Sequence, residues 1–291
     1  QKTAYEIGVR LVGSEMCIRD RYYGKGGAPI ASQDACTIKL EPSGGVICMI
    51  GVTDQGQGVD TVMCQIAASV LGLRAESVRV IEGDTDAVPY GGGTYASRAT
   101  AIGGEATYQA SLLLRKEILS IAGTLLQAEP ITLDIVDENV VNKSDNQIRI
   151  SVSEIGRIGH FQVAELPNNI QPTLSVTYRY RLHDALYIFT NGIQGAYVEV
   201  DIDTGFIKLL NHWVVEDCGR VISPQLADEQ VRGGCVQGIG GALYEECVYN
   251  EAAQLQNGTL ADYITPMAGE MPDINVYHIQ TPVSYTHLTL P

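Results

Sequence analysis

Three glycine-rich stretches of this chain carry the residue types that bind an anionic or heteroaromatic ligand. They read DQGQG, GGGTYASRAT and GGCVQGIGG, at Asp54–Gly58, Gly91–Thr100 and Gly233–Gly241. The first stretch ends an apolar run and precedes a helical pattern. The first N–H groups of a helix have no partner within it, and glycine lets the backbone approach a ligand closely. The stretch therefore predicts a phosphate or pyrophosphate cradle, with a ligand-free strand-to-helix turn as the alternative.

The other two stretches offer different donors and acceptors. The second has hydroxyl groups at Thr94, Ser97 and Thr100 and a guanidinium at Arg98, which suit an anionic or heteroaromatic ligand. A solvated loop is the alternative. In the third, each glycine inside a helix costs about 1 kcal/mol relative to alanine. These glycines therefore indicate close approach of a ligand or of another backbone around Gln237, or close packing of the helix on a neighbour.

The elements that would position the first two stretches follow from hydrophobic periodicity and turn residues. A hairpin is predicted before the first stretch, and a helix with one apolar stripe after it. Gly72 stands where a helix C-cap is expected, and Ser151 with Glu154 forms a plausible capping box for a short helix. The predicted strands are Cys36–Leu40, Val46–Val52, Val78–Asp84 and several within 130–152, and the predicted long helices are Val59–Leu71 and Gly104–Leu126.

The opening pattern returns about 160 residues later, which is typical of a weak internal duplication. Ala196–Gly219 reads as strand, Asp-Thr-Gly turn and strand, and Ser223-Pro224 reads as the start of a helix. We expect this helix to run toward Tyr249 with an interruption near the third glycine-rich stretch. The predicted fold is mixed α/β (α+β), with two related lobes of small sheets packed by helices and glycine-rich loops at helix starts. Such lobes can close on one elongated ligand.

Composition excludes several classes of function. The formal net charge of −15 over 291 residues disfavours nucleic-acid binding through a basic surface. No apolar run reaches the roughly 18 residues that a membrane span requires. The seven cysteines include no C-x-x-C pair, which predicts reduced thiols and a cytoplasmic location. The five histidines lack the ligand spacing of a zinc site, so no metal-binding side chains are predicted.

The two ends differ in character from the rest of the chain. LVGSEMCIRDR at Leu11–Arg21 and VSYTHLTLP at Val283–Pro291 resemble translated sequencing adapters, which recur at the ends of assembled metagenomic sequences. We therefore expect residues 1–25 to be artefactual or disordered, residues 283–291 to be an artefactual tail, and the chain to be a fragment. Residues 161–193 show little pattern and are predicted to form a loop-rich connection.

In their order and spacing, the glycine-rich stretches and the sequences around them resemble a known family. The quoted segments are DQGQGVDTVMCQIAASVLGL, VRVIEGDTDAVPYGGGTYASRAT and GAYVEVDIDTGFIKLLNHWVVEDCGRVISPQ, followed by QVRGGCVQGIGGALYEE. They resemble the molybdenum hydroxylase large subunit, of the xanthine dehydrogenase, aldehyde oxidase and aerobic carbon monoxide dehydrogenase family. The resemblance extends from Gly26 to Pro282. It implies two molybdopterin-binding lobes, at 26–160 and 194–282.

The resemblance also implies a cofactor and its contacts. In the family the molybdenum is held by the dithiolene of molybdopterin, in bacteria usually the cytosine dinucleotide form, and not by protein side chains. The residues that it assigns to cofactor binding are Gly56, Gln57, Gly58, Thr94, Ala96, Ser97, Arg98 and Gln237.

Family chemistry is oxidative hydroxylation of a small-molecule substrate, with electrons leaving through iron–sulfur clusters to FAD on partner subunits or domains. The resemblance thus implies a hetero-oligomeric oxidoreductase as the parent protein. The family's catalytic glutamate belongs to a Lys-Gly-x-Gly-Glu motif, which this sequence lacks. Glu245, Glu246 and Glu270 lie outside such a motif, so no catalytic residue is predicted and the fragment alone is expected to be inactive.

Two further hypotheses stay open on the sequence alone. In the first, the chain is a non-redox α/β module that binds a nucleotide or another phosphate ligand. In the second, it is a non-catalytic structural part of a hetero-oligomer. Nucleotide-induced stabilisation without affinity for a pterin would favour the first. Glycine substitutions that harm assembly without changing cofactor content would favour the second.

Overall fold

The computed structural model describes residues 21–22, 33–88, 90–95, 97–167, 171–181, 187–188 and 191–280. The chain divides into two compact units. The described residues from Tyr22 to Tyr187 belong to the first unit, and those from Ile188 to Val283 belong to the second. Two short strands, β1 (Arg21–Tyr22) and a second at Tyr187–Ile188, lie where the units divide.

The first unit is built around a four-stranded mixed sheet. Its strands lie in the order β4 (Val78–Ile81), β3 (Val46–Ile50), β2 (Gln33–Leu40) and β8 (Ser175–Arg181). Strand β2 is antiparallel to β3 and β8, and β3 is parallel to β4. A separate antiparallel sheet has the order β5-β6-β7. In chain order the strands and helices are β2 (Gln33–Leu40), β3 (Val46–Ile50), α1 (Val59–Leu71), β4 (Val78–Ile81), α2 (Glu105–Leu126), β5 (Leu133–Val136), β6 (Asn139–Asn142), β7 (Ile148–Ser151), α3 (Val152–Phe161) and β8 (Ser175–Arg181).

Helices α1 and α2 supply much of the core of the first unit. The apolar stripe predicted on α1 is buried, including Met63, Ile66 and Leu71, which have no exposed surface. Gly72 ends α1 in the left-handed conformation, as predicted. A π-helical turn, Ala99–Gly104, leads into α2. The hairpin, the strand beginning at Val78 and the helix ending at Leu126 are confirmed in type and place.

Helix α3 begins as the sequence predicts. Ser151 is its N-cap, and the Ser151 hydroxyl accepts a hydrogen bond from the Glu154 N–H at 3.1 Å. The Glu154 carboxylate instead pairs with Arg157. The prediction of a loop-rich connection over 161–193 is wrong for Ser175–Arg181, which forms β8 and pairs along β2. This pairing joins residues about 140 positions apart, such as Thr37 and Thr177, and local pattern does not report it.

The second unit repeats the order of the first unit's opening elements. The antiparallel pair β10 (Asn191–Val200) and β11 (Ile207–Asp217) is followed by α4 (Pro224–Leu243) and then by β12 (Ile274–His278), which is parallel to β11. In the first unit β2 and β3 pair antiparallel, α1 follows, and β4 is parallel to β3. The two units thus share a hairpin–helix–parallel-strand order. The Tyr187–Ile188 strand is numbered β9, since it precedes β10 in the chain. The mixed α/β fold is confirmed.

The course of helix α4 differs from the prediction. It is continuous through Gly233–Gly241 and ends at Leu243, whereas an interrupted helix toward Tyr249 was expected. A buried stripe of Val231, Cys235 and Ile239 packs with Val214 and Ile274 of the sheet. This packing offsets the helix cost of the glycines, because tertiary burial outweighs intrinsic propensity. None of the described helices has the length and hydropathy that a bilayer crossing requires.

Candidate functional site

The first two glycine-rich stretches meet in the first unit at the end of strand β3. Thr53 and Thr94 join them through a pair of hydrogen bonds. The Thr53 N–H donates to Thr94 Oγ1 at 2.9 Å, and the Thr94 hydroxyl donates to the Thr53 carbonyl oxygen at 2.6 Å. Gln55 adds a third link, because its side-chain amide donates to the Thr94 carbonyl oxygen at 3.2 Å. Two loops that are 40 residues apart in sequence therefore form one surface.

Glycines bring the two loops into backbone contact. A Cβ on Gly51 would overlap the backbone of Gly91, and the Gly93 N–H donates to the Gly51 carbonyl oxygen at 3.2 Å. Gly56 and Gly93 have φ values of +100° and +75°. A Cβ at either of these two would have nothing within 4 Å. The loops thus pack tightly on one side and leave open space beside Gly56 and Gly93.

The polar groups of the Asp54–Gly58 loop are largely engaged with one another. Asp54 Oδ1 accepts hydrogen bonds from the N–H groups of Gly56 and Gly58, at 2.8 and 3.1 Å. The Gln57 side chain accepts from the Gln55 N–H at 2.6 Å and donates to the Thr53 carbonyl oxygen at 3.3 Å. A phosphate could accept hydrogen bonds from the Gly56 and Gly58 N–H groups only if their hydrogen bonds to Asp54 were broken.

Acidic side chains surround the start of helix α1. The Asp54 N–H donates to both carboxylate oxygens of Glu82, at 2.7 and 2.8 Å, and Asp60 lies in the first turn of the helix. Burial raises the pKa of Asp60 and of Glu82 above their ordinary values, and for Asp60 the charge of Asp54 acts in the same direction. This charge disfavours a bare phosphate near Gly56. The exposed backbone at Gly56 is better suited to the edge of a neutral ring that forms hydrogen bonds.

Arg98 anchors the second loop from within. Its side chain has no exposed surface and forms an ion pair with the equally buried Asp34, with Nη2 2.6 Å from Oδ2. Its Nη1 donates to the Gly93 carbonyl oxygen at 2.6 Å. Burial raises the pKa of Asp34 despite the opposing effect of the guanidinium. Arg98 therefore holds the loop in place, and sequence reasoning missed its partner Asp34, a buried acid near the start of strand β2.

The predicted site residues are distributed over both units. Gly56, Gln57, Gly58, Thr94, Ser97 and Arg98 lie in the two joined loops of the first unit, and Ser97 adopts the left-handed conformation at φ 54°. Ala96 lies outside the described residues. Gln237 belongs to the second unit, where it is exposed on α4 between the buried Cys235 and Ile239. Cofactor contact by these residues stays a prediction.

The comparison with protein families matches residues 10–272 to the molybdopterin cofactor-binding domain. Among curated relatives, the nicotine 6-hydroxylase large subunit of Paenarthrobacter nicotinovorans is 33% identical over 258 residues, which are 88% of this chain and 31% of that protein. The carbon monoxide dehydrogenase large chain of Hydrogenophaga pseudoflava is 32% identical over 249 residues, which are 86% of this chain and 30% of that protein.

A comparison with solved structures also finds an enzyme similar to this chain. Quinoline 2-oxidoreductase from Pseudomonas putida 86 aligns with a TM-score of 0.80 at 34% identity, over 87% of this chain and 32% of that chain. The chain thus spans about a third of the length of the proteins it matches. The similarity covers both units and every predicted cofactor-binding position. The chain belongs to the molybdopterin cofactor-binding domain family, and it corresponds in sequence to a part of the large subunits of molybdenum hydroxylases.

Proposed function

We propose that this chain forms the cofactor-binding part of a molybdopterin-dependent oxidoreductase, a hydroxylase or dehydrogenase acting on a small-molecule substrate. The observation that carries the proposal is the single surface made by the two loops that Thr53 and Thr94 join, within the segment that matches the cofactor-binding family. When bound, the molybdenum cofactor supplies the redox chemistry. The chain's own residues bind and orient it.

The open backbone at Gly56 and Gly93 fits a flat group that approaches the loops closely. Gln57, Gly58, Thr94 and Ser97 belong to the same two loops, and Ala96 is included in the proposal from its place in the sequence alone. The loop's acid-rich surroundings favour the pterin ring over a phosphate group at this place, since Asp54 already accepts from the Gly56 and Gly58 amides. Arg98 acts from behind the surface, through Asp34 and Gly93.

The domain boundaries follow from the same proposal. Residues 26–160 and 194–282 are assigned as two molybdopterin-binding lobes, and Gln237 contributes a neutral amide from the second. The cofactor is assigned as the cytosine dinucleotide form.

The parent protein is assigned to a hetero-oligomer that passes electrons to iron–sulfur clusters and FAD on partner subunits or domains. Names of relatives support this, because they include a large subunit, a large chain and a subunit gamma of a dehydrogenase complex. A cytoplasmic location is supported by the six described cysteines, which are all free thiols.

The test is the molybdenum and pterin content of the full-length protein, produced with its maturation partners. Gly93→Asn is the informative variant and Gly205→Asn its matched control. Both glycines have φ +75° and open space at the Cβ position, but Gly205 lies in the β10–β11 turn. Asparagine tolerates this conformation better than other non-glycine residues.

We expect Gly93→Asn to lower molybdenum and pterin content together, with Gly205→Asn at the wild-type level. A well-folded full-length protein that contains neither molybdenum nor pterin would contradict the proposal. Thermal stabilisation of that same preparation by nucleotides would then favour the non-redox alternative.

A further inference from the structure

The second unit gathers three potential metal ligands where β11 meets β12. Glu216 and His278 are register partners on these neighbouring parallel strands, so their side chains lie side by side. Cys218 follows Glu216 by two residues. The ligand atoms of these three side chains, an oxygen, a sulfur and a nitrogen, all lie within 4.8 Å of one another. Residues about 60 positions apart in sequence thus converge, which no ligand-spacing motif reports.

The hydrogen bonding of His278 places one ring nitrogen, Nδ1, where it can bind a cation. Its Nε2 lies 2.7 Å from Asp228 Oδ1, and its Nδ1 lies 3.1 Å from Glu216 Oε1. In the neutral ring that donates from Nε2 to Asp228, Nδ1 carries a lone pair that faces a carboxylate oxygen. Two acceptors this close need a proton or a bound cation between them, and a cation can bind both. Metal-binding histidines typically donate their other ring N–H to a carboxylate in this way.

Glu216 supplies a second, independent observation. It is 2% exposed, and its Oε2 is buried without a hydrogen-bond partner among the N–H and O–H groups of the described residues. The Cys218 thiol lies against this carboxylate. Arg232 does not compensate Glu216, since it is directed at Asp228, 3.6 Å away, and at Glu229, 2.7 Å away. A buried carboxylate in this state is costly unless it holds a proton or binds a cation.

We propose that Glu216, Cys218 and His278 form a divalent metal site matched to Zn²⁺, in which Asp228 orients His278. Thiolate, imidazole and carboxylate are the ligand types that zinc takes, and three protein ligands leave a fourth position for water. The site would fasten β12 to β11. It differs from the molybdenum cofactor in using protein side chains as ligands, and it does not depend on the proposed function.

Metal binding would change the protonation of the cluster. Burial raises the pKa of Glu216, and burial together with the Glu216 charge raises the pKa of Cys218 to about 12. A bound divalent ion reverses this effect and ionises a coordinating thiol. Metal binding therefore releases protons, and zinc affinity rises with pH.

The test uses the full chain, freed of metal by dialysis against a chelator and checked for native circular dichroism. Zn²⁺ binding is measured by competition with a chromophoric chelator, and Co²⁺ binding by absorption. We expect one Zn²⁺ per chain and a thiolate-to-cobalt charge-transfer band. Cys218→Ser should abolish the band and stoichiometric zinc binding. Cys247→Ser, at an exposed free cysteine outside the cluster, should retain both.

Asp228→Asn separates orientation from ligation. It should keep the cobalt band and weaken zinc binding about 10–100-fold, the usual effect of removing such a supporting hydrogen bond. The proposal is overturned if natively folded wild-type chain binds no stoichiometric Zn²⁺ or gives no thiolate–cobalt band. Equal zinc affinity in wild type and Cys218→Ser would also overturn it. The wild-type measurements decide the matter even where a variant does not fold.

Discussion

Thr94 Oγ1 both accepts from the Thr53 N–H and donates to the Thr53 carbonyl oxygen, at 2.9 and 2.6 Å. One hydroxyl thereby closes the loop that follows β3 onto the loop that precedes α2. The two backbone groups of Thr53 would otherwise need other partners at a partly buried position. The surface proposed to bind the cofactor depends on this contact.

Thr94→Val tests the contact directly. Valine keeps the shape of the side chain but removes both hydrogen bonds, so we expect the unfolding free energy to fall by about 1–3 kcal/mol. In the full-length protein, molybdenum and pterin content should fall as well. Thr94→Ser retains the hydroxyl and should restore most of both quantities. Equal cofactor content in Thr94→Val and wild type would show that the loop contact does not shape the cofactor surface.

The buried Asp34–Arg98 pair predicts a large effect of removing one partner. Arg98→Met leaves the Asp34 carboxylate buried without its cation, and we expect a loss of about 3–5 kcal/mol in unfolding free energy measured with urea. The double variant Asp34→Asn/Arg98→Met should be more stable than Arg98→Met alone. Arg157→Met, which breaks the exposed pair with Glu154, is the control and should change stability by no more than about 1 kcal/mol. Similar losses at Arg98 and Arg157 would contradict the buried-pair interpretation.

The close approach of Gly51 to the second loop gives a steric prediction. A Cβ at Gly51 would overlap the Gly91 backbone and lie 2.7 Å from Asp34 Oδ1. Because backbone atoms cannot move aside as a side chain can, Gly51→Ala should destabilise the first unit by about 1–3 kcal/mol. Gly45→Ala is the control, since its Cβ would meet its nearest atoms at 3.4 Å. Its change should stay within about 0.5 kcal/mol. Thermal unfolding followed by circular dichroism compares the two variants.

Local sequence signals predicted the elements next to the site well. The apolar stripe of α1, the cap at Gly72 and the hydroxyl cap at Ser151 each depend on residues within one or two turns. Strand β8 and the Asp34–Arg98 pair depend instead on contacts about 60 to 140 residues apart. Helix α4 was predicted as interrupted because its glycines lower helix propensity, while the burial of Cys235 that sustains it is a tertiary contact. Local sequence patterns therefore predicted where the glycine-rich loops lie, but not the long-range contacts that fix their positions.

His212 predicts a pH dependence of stability in the second unit. The residue is 7% exposed, and its Nε2 lies 3.0 Å from Gln194 Oε1. Burial lowers its pKa in the folded state below the ordinary value of about 6.5. As the pH falls below about 6.5, the unfolded chain therefore binds a proton before the folded chain does. Stability is retained above that pH and decreases below it.

His212→Gln isolates this contribution, because glutamine does not titrate and its amide can still donate toward Gln194. Trp213, the only tryptophan, lies in β11, so its fluorescence reports urea unfolding of the second unit. Measured from about pH 7.5 to about pH 5.5, the unfolding free energy of wild type should fall more steeply than that of His212→Gln. Parallel curves would mean that the His212 ring has the same proton affinity in both states. A wild-type advantage that grows toward low pH would mean that the folded state instead stabilises the charged ring, in contradiction to the effect expected from its burial.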